Sequence, residues 1–519
     1  MKKWLLRILS LFAGIIFILL VWMFWNLRDR HSGYEVDLNI KSSDAPGTIK
    51  VGFAALPITP KIIDTWTDFN KDAKFREKDG DTYIDNNNNG KFDAYWIAGF
   101  SNQRAANGVH DDVWARVIVF DDGKTRVAIV SLDAIGFRHD DVVDIRELIP
   151  KSANIDYAII SSTHTHESVD LIGIWGESPF KNGVNKEHLQ YVKQQAAAAI
   201  EKAANNLRPA KLVFAEDSGN AKDLLMDTRK PIVLDPGLRI MQAIDTETNA
   251  TLGSLVAWAN HPETLWSENL YISSDFPHYV REYIEKGVYN GDELVKPGLG
   301  GICVYINGAV GGLMTTRGSM AIQNPFSDTI YVEPTFDKVK AQGQKLALLS
   351  LEALESPDTT INMAGISLRA KTINLPLKNT MFRLAAALGI LDFGMTGWFQ
   401  TRTEVAAIKL GPASFLMIPG EIYPEIVNGG VETPEGQDFK IAVIEMPPLR
   451  ELMPGKYKFV IGLANDEIGY IVPKSQWDVE APFTYDLKKA PYGEENSLGP
   501  ETAPILHKEF SIILKELSP

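Results

Sequence analysis

Residues 8–25 read ILSLFAGIIFILLVWMFW, an apolar run without a single charge. A helix rising ~1.5 Å per residue over that length nearly crosses a hydrocarbon core of ~30 Å. Lys2, Lys3 and Arg7 precede the run, and Arg28 and Arg30 follow it. That excess, together with the free amino terminus, favours a cytoplasmic N-terminus. The run closes in the bulky VWMFWN, with no small-x-small cleavage site, so the pattern predicts an uncleaved transmembrane anchor over 1–30 rather than a removed signal peptide. The rest of the chain is then expected outside the cytoplasm, as the soluble part of a single-pass membrane protein.

Residues 31–48 are mixed and polar, and read as a linker. From residue 49 the pattern changes to short β-branched runs: 49–55, 116–120, 126–132, 157–161, 211–214, 238–244, 254–259, 303–306 and 415–418. Helical stretches separate them. YVKQQAAAAIEKAANNL, within 186–207, has strong helix-forming composition and Pro209 just past its end. In 336–354, Val339, Leu346, Leu349 and Leu354 recur at mostly helical spacing. Strands and helices alternate without repeats, which predicts one large mixed α/β domain over 49–519. The segment 379–400 contains LAAALGILDFGM, but Arg383 and Asp392 interrupt it and exclude a second span. Two readings stay open for it: a buried core helix, or an apolar lip at a site that admits a lipid tail.

Composition narrows the function. Lys and Arg number 52 against 66 Asp and Glu, a net charge of −14, and so acidic a surface repels phosphate backbones and disfavours nucleic acid as a partner. Cys303 is the one cysteine, so intrachain disulfides and CxxC zinc sites are excluded and any metal must rest on His and oxygen ligands. One acidic loop, EKDGDTYIDNNNNGKFD, places Asp85, Asn87, Asn89 and Asp93 at positions 1, 3, 5 and 9, with Gly90 at position 6. That spacing points several oxygens at one centre and suggests a structural calcium ion, although the position-12 Glu of an EF-hand is missing. The alternative is a solvated Asn/Asp/Gly turn that binds nothing.

The residues with catalytic chemistry stand at strand ends. His164 and His166 follow the strand YAII in SSTHTH, and in an extended chain residues i and i+2 share a face. SLVAWAN ends in His261-Pro262, and ASFLMIPG delivers Glu421. Two histidines and a carboxylate make a zinc shell with room for water.

These motifs together resemble the catalytic N-terminal domain of the neutral/alkaline non-lysosomal ceramidases. The resemblance is carried by THTH after a strand, the His-Pro, the Pro-Gly-Glu and GLANDEIGYIVP. VGFAALPITP, Gly108-Val-His110 with an Ala-Arg five residues on, VSLDA and YGEENSLGP add to it, in order from residue 49 to the C-terminus. The resemblance implies a zinc ion held by His164, His261, Glu421 and Tyr470, with His166 facing the scissile amide. It implies hydrolysis of the N-acyl amide of a ceramide-like lipid.

Three departures touch the substrate-facing wall. Met314 stands where the family has a serine in its Gly-rich turn, with Thr315 and Thr316 beside it. Glu167-Ser168-Val169 follows THTH in place of Ser-Gly-Pro, and Glu263 replaces a small or hydroxyl residue after His-Pro. Zinc acidifies water towards a pKa of ~7, so hydrolysis needs no serine. The leaving amine takes its proton from His166 or Glu263. A zinc hydrolase of another amide, ester or lactone, or a non-catalytic surface binding protein, remains the alternative.

Overall fold

The computed structural model describes residues 2–43, 46–314, 320–357 and 359–517. The long apolar run forms helix α1 (Lys2–Asn26), and no residue of its apolar window is buried within the protein. The rest is a mixed α/β fold in which two sheets pack face to face. The larger sheet contains β1 (Lys50–Pro57), β2 (Trp114–Asp121), β3 (Arg126–Leu132), β4 (Tyr157–Ser162), β5 (Arg208–Asp217), β6 (Leu238–Asp245), β7 (Thr251–Trp258) and β8 (Ile302–Asn307), in the order β8-β7-β6-β5-β1-β2-β3-β4. The smaller contains β9 (Ile366–Pro376), β10 (Gln400–Leu410), β11 (Ala413–Met417) and β12 (Tyr457–Ile461), with Asp37–Ile40 at its edge.

The central core lies between the sheets. Val51, Phe53 and Ile118 of one meet Leu368, Ile408, Phe415 and Phe459 of the other. Helices cover the outer faces, as the twisted sheets of an α/β domain require. α2 (His139–Leu148) and α3 (Lys186–Asn205) lie on one half of the large sheet, and α4 (Phe276–Lys286) and α5 (Phe336–Glu355) on the other. α6 (Thr380–Ala387) follows β9, and α7 (Thr502–Leu517) covers the small sheet. The layers therefore run helix, sheet, sheet, helix.

The strands expected from the apolar runs all form, and the large sheet is built from them. The segment 31–48 departs from the linker expectation. Asp37–Ile40 pairs with β9 in the register Asp37↔Lys371 to Ile40↔Leu368, and Val36, Leu38 and Ile40 pack on the core. Alternation with charged neighbours hid this short strand. The segment 379–400 divides: Met381, Leu384 and Trp398 are exposed, whereas Leu391 and Phe393 are buried.

One buried ion-pair network joins the sheets. Glu404 on β10 accepts hydrogen bonds from Arg146 (2.7 and 2.9 Å), Tyr157 (2.7 Å) and Tyr34 (3.2 Å). Burial alone favours the neutral acid, but Arg146 and its neighbours outweigh it and hold the Glu404 carboxyl at about 2, below its ordinary 4.5. A carboxyl depressed in the folded state stabilises above its unfolded pKa, and that contribution is lost as pH falls from about 4.5 towards 2. Glu404→Leu leaves Arg146 as an uncompensated buried charge and is expected to cost ~3–5 kcal/mol. Urea unfolding at neutral pH reads this, and the deficit against wild type should shrink on acidification.

Candidate metal centre

Four strand ends bring the centre together. β4 and β7 lie in the large sheet and deliver the histidines. β11 in the small sheet runs into Glu421, whose two-residue strand Glu421–Ile422 pairs in parallel with Tyr470–Ile471. The register Glu421↔Tyr470 sets carboxylate and phenol side by side. Asn307, at the end of β8, ties the histidine loops to one another. Its amide donates to the Thr163 carbonyl (2.9 Å) and the Asn260 carbonyl (2.8 Å), and its side-chain oxygen accepts from Asn260 N (3.1 Å).

The two histidines of THTH converge, but not as neighbours on an extended strand. His164 has φ +67°, in the left-handed region, so the strand ends before it. The kink is fixed by His164 N donating to the Ala134 carbonyl at 2.9 Å. The two rings then meet edge to face, 5.0 Å between centroids, with their Nε2 atoms 3.5 Å apart.

Hydrogen bonds define which nitrogen faces the centre. His164 Nδ1 lies 2.5 Å from the Ile135 carbonyl, and His261 Nδ1 lies 2.8 Å from the Leu313 carbonyl. A carbonyl only accepts, so each Nδ1 carries the proton and each Nε2 turns a lone pair inward. His261 Nε2 is 3.0 Å from Glu421 Oε2, His164 Nε2 is 3.4 Å from the same oxygen, and the Tyr470 hydroxyl is 3.3 Å from His261 Nε2. Burial opposes ionisation of Glu421, yet the two imidazoles keep its carboxyl well below the usual range. Burial pushes the Tyr470 phenol well up, and Glu421 adds to the effect. Lone pairs facing a carboxylate at these distances need a positive charge between them, supplied by a proton or a metal cation. The donor set fits a metal.

His164, His166 and His261 are all buried, with one ring nitrogen of each within 4.8 Å of the others, and this group can hold a metal ion. His166 differs from the other two. Its Nδ1 meets no carbonyl; it points to Glu263 Oε2 at 3.6 Å and has no hydrogen-bond partner. Burial, then His164 and His261, press its pKa well down, which keeps the ring neutral. Burial pushes the Glu263 carboxyl up to about 8. Glu263 stands behind His166 and does not line the cavity over the centre, whereas His166 does.

That cavity holds about 140 Å³ and is walled by Phe100, Ile174, Trp175 and Phe382 above His164 and Glu421. Glu467, whose carboxyl burial and Glu421 push well up, closes one side, with its Oε1 accepting from Gly469 N at 2.9 Å. Met314 lines a separate cavity of about 490 Å³ that shares Tyr470 and Tyr492 with the first. Its sulfur lies 3.6 Å from the Thr228 hydroxyl. Thr315 and Thr316 lie outside the described residues.

Sequence reasoning missed the residues that hold His166. Arg104, fully buried, donates to the His166 carbonyl and pairs with Glu167 at 3.2 Å, while Asn269 donates to Glu167 at 2.8 Å. Glu167, a departure from the family motif, thus serves this buried pair. Gly99, at φ +111°, packs against the His166 side chain, and a Cβ there would sit 2.6 Å from the ring. Nothing in the linear pattern ties Arg104 or Gly99 to residue 166.

The acidic loop closes on itself at the surface. Asn87 and Asn89 amides each lie 2.6 Å from Asp93 Oδ2, and the Asp85 carboxylate accepts Asn89 N at 3.1 Å and Gly90 N at 2.8 Å. A second turn repeats the geometry: Asp68 accepts Asp72 N at 3.2 Å and Ala73 N at 2.8 Å. The strands Thr65–Thr67 and Thr82–Ile84 pair between the two turns, and Phe75 and Phe92 pack 4.2 Å apart. In the Asp68–Ala73 turn Arg76 pairs with Asp72, so a guanidinium supplies the positive charge there.

Fold and site define a two-sheet α/β protein with a buried histidine–carboxylate centre under a largely apolar cavity. No protein-family model matches the chain, and no curated protein matches it significantly. Among solved structures it is similar to a neutral ceramidase from Pseudomonas aeruginosa, with TM-score 0.64 and 14% identity over 91% of this chain and 74% of that one. It is also similar to a ceramidase complexed with C2, with TM-score 0.61 and 14% identity over 92% and 76%. The fold is that of neutral ceramidase, as the order of the sequence motifs implies.

Proposed function

We propose that the protein is a membrane-anchored, zinc-dependent amidohydrolase that cleaves the N-acyl amide of a ceramide-like lipid. The observation that carries this reading is the inward convergence of His164 Nε2, His261 Nε2, Glu421 and Tyr470 beneath an apolar cavity, in a neutral-ceramidase fold. Residues 1–30 are the anchor, 49–519 the hydrolase domain, and the domain lies outside the cytoplasm.

His164, His261, Glu421 and Tyr470 would hold the zinc. When bound, zinc supplies Lewis acidity, polarising an acyl carbonyl and activating water near neutral pH. The apolar wall excludes bulk water and receives the hydrocarbon next to the amide. Neutral His166, with Nε2 at the cavity, accepts the proton of the attacking water and returns it to the leaving nitrogen, as general acid–base catalysis requires. Glu263 acts through His166: its carboxyl faces Nδ1 at 3.6 Å and orients the ring. Met314 cannot play the part of the family serine, since a thioether neither donates a hydrogen bond nor accepts an acyl group efficiently.

Purified protein should release fatty acid from an N-acylsphingosine, lose the activity to a chelator and regain it with zinc. Met314 favours a second reading, a zinc hydrolase of a different amide, ester or lactone. Turnover of such substrates with none of the sphingoid amide would move that reading to first place. Zinc binding without any turnover would favour the binding protein.

The 85–93 loop is proposed as a structural calcium site, supported by the oxygen-bearing side chains of Asp85, Asn87, Asn89 and Asp93 on one tight turn, two of which, Asn87 and Asn89, reach Asp93. Calcium should then raise the thermal midpoint through binding linkage, and Asp85→Ala should abolish the rise. A midpoint indifferent to calcium leaves a self-bonded turn.

A further inference from the structure

The end of α1 is fastened to the domain rather than left on a stalk. Asn26 Nδ2 donates to the Ala387 carbonyl, at the end of α6, at 3.0 Å. Leu27 packs into the core cluster that lies under α6. Asp29 meets Arg402 at 2.7 Å, and Arg30 pairs with Asp392. If α1 spans a bilayer, the boundary between lipid and water falls at its C-terminal end, where Trp22 and Trp25 are exposed as interfacial aromatics are. α6 is then held at that boundary. Met381 is six residues from Ala387, or ~9 Å along the helix.

α6 carries a face that water does not explain. Met381, Leu384 and Leu388 recur at three- and four-residue spacing, and Met381 is 69% exposed. Trp398, 72% exposed, stands on the adjoining turn, whose Phe399 lies under the Arg383 guanidinium at 4.7 Å. Phe382, one residue on from Met381, lines the cavity above the candidate centre. Met381 and Phe382 also border a groove of about 910 Å³, in which Phe439, Trp477 and Tyr492 stand among charged residues such as Asp438 and Glu480, and Tyr492 borders the cavity as well. One short helix thus touches the anchor at its end, presents apolar side chains outward and forms the wall of the site.

We propose that α6 and the Trp398 turn dock into the lipid interface beside the anchor, so that the groove from Met381 to Tyr492 opens onto the outer leaflet. An acyl chain then passes from bilayer to cavity along the Met381, Phe382, Trp477 and Tyr492 side of the groove. The occupant of the α6 face is the phospholipid surface itself, fixed by continuity with α1. This rests on the anchor and on the lipid-amide reading given above.

The test uses the full chain reconstituted into phosphatidylcholine–phosphatidylglycerol vesicles, with an environment-sensitive fluorophore on Leu384→Cys, Trp398→Cys or Ile330→Cys. Native Cys303 is fully buried and does not compete, and Ile330 is an exposed apolar control outside α6. The expected result is a blue shift at 384 and 398 and quenching there by nitroxide-bearing lipid, with neither at 330. Probes at 384 and 398 that match the 330 control in carbonate-resistant vesicles overturn the docking while leaving the anchor intact. Release of the chain by carbonate overturns both. A second arm separates docking from chemistry: Leu384→Asp with Trp398→Asp should raise KM for a long-chain substrate within vesicles and leave a short-chain soluble substrate unaffected. Equal loss on both substrates would contradict the docking role, and absence of turnover in the wild type would sink the amidase reading without touching the probe result.

Discussion

Replacing His261 with alanine is expected to empty the centre of metal and reduce turnover by well over ~100-fold, beyond the scale at which outer-shell losses alone act. His261 makes the closest approach to Glu421 and also contacts Tyr470, so it joins three of the four oxygen and nitrogen donors. Its removal leaves the buried Glu421 with His164 and Tyr470 as its remaining neighbours in the set. The ring also anchors the Gly-rich turn through the Leu313 carbonyl. Loss of that bond complicates a stability readout, so the decisive number is metal per folded chain, with folding checked by near-ultraviolet circular dichroism. Wild-type metal content in folded His261→Ala would exclude His261 from the ligand set.

His166→Ala is expected to keep the metal and lose activity by ~10²–10⁴-fold, the range for a general acid–base group. The argument is the unlike surroundings of its two nitrogens. In His164 and His261 a carbonyl fixes the proton on Nδ1, whereas His166 Nδ1 faces a carboxyl at 3.6 Å and no backbone carbonyl. Metal lost together with activity would place His166 among the ligands in place of Glu421. A Glu263→Gln variant should shift the pH profile of the remaining activity and retain metal, which a merely structural role for Glu263 would not produce.

The chain displays its large sheet and its histidines openly and its small sheet poorly. β3 is uninterrupted RVAIVSL and β4 is YAIISS, so apolar runs locate them without help from context. β9 and β10 read ISLRAKTINLP and QTRTEVAAIKL. Arg369, Arg402 and Glu404 are buried there because distant partners neutralise them: Glu516 and Asp37, Asp29, and Arg146. Pairing across such sequence distances leaves no periodic signature. The same holds at the site. THTH and His-Pro were legible because the motifs are local. The left-handed turn at His164 and the Arg104 support were not, because both arise from contacts with loops far along the chain.

The proposed function stands on one metal held by His164, His261, Glu421 and Tyr470. Anomalous diffraction at the zinc edge from crystals of the zinc-loaded protein tests it most directly. A single strong peak is expected at coordination distance, ~2.0–2.2 Å, from His164 Nε2, His261 Nε2 and a Glu421 oxygen, with the Tyr470 hydroxyl completing the set. A peak elsewhere in the chain, or none at this centre in fully loaded protein, would contradict it.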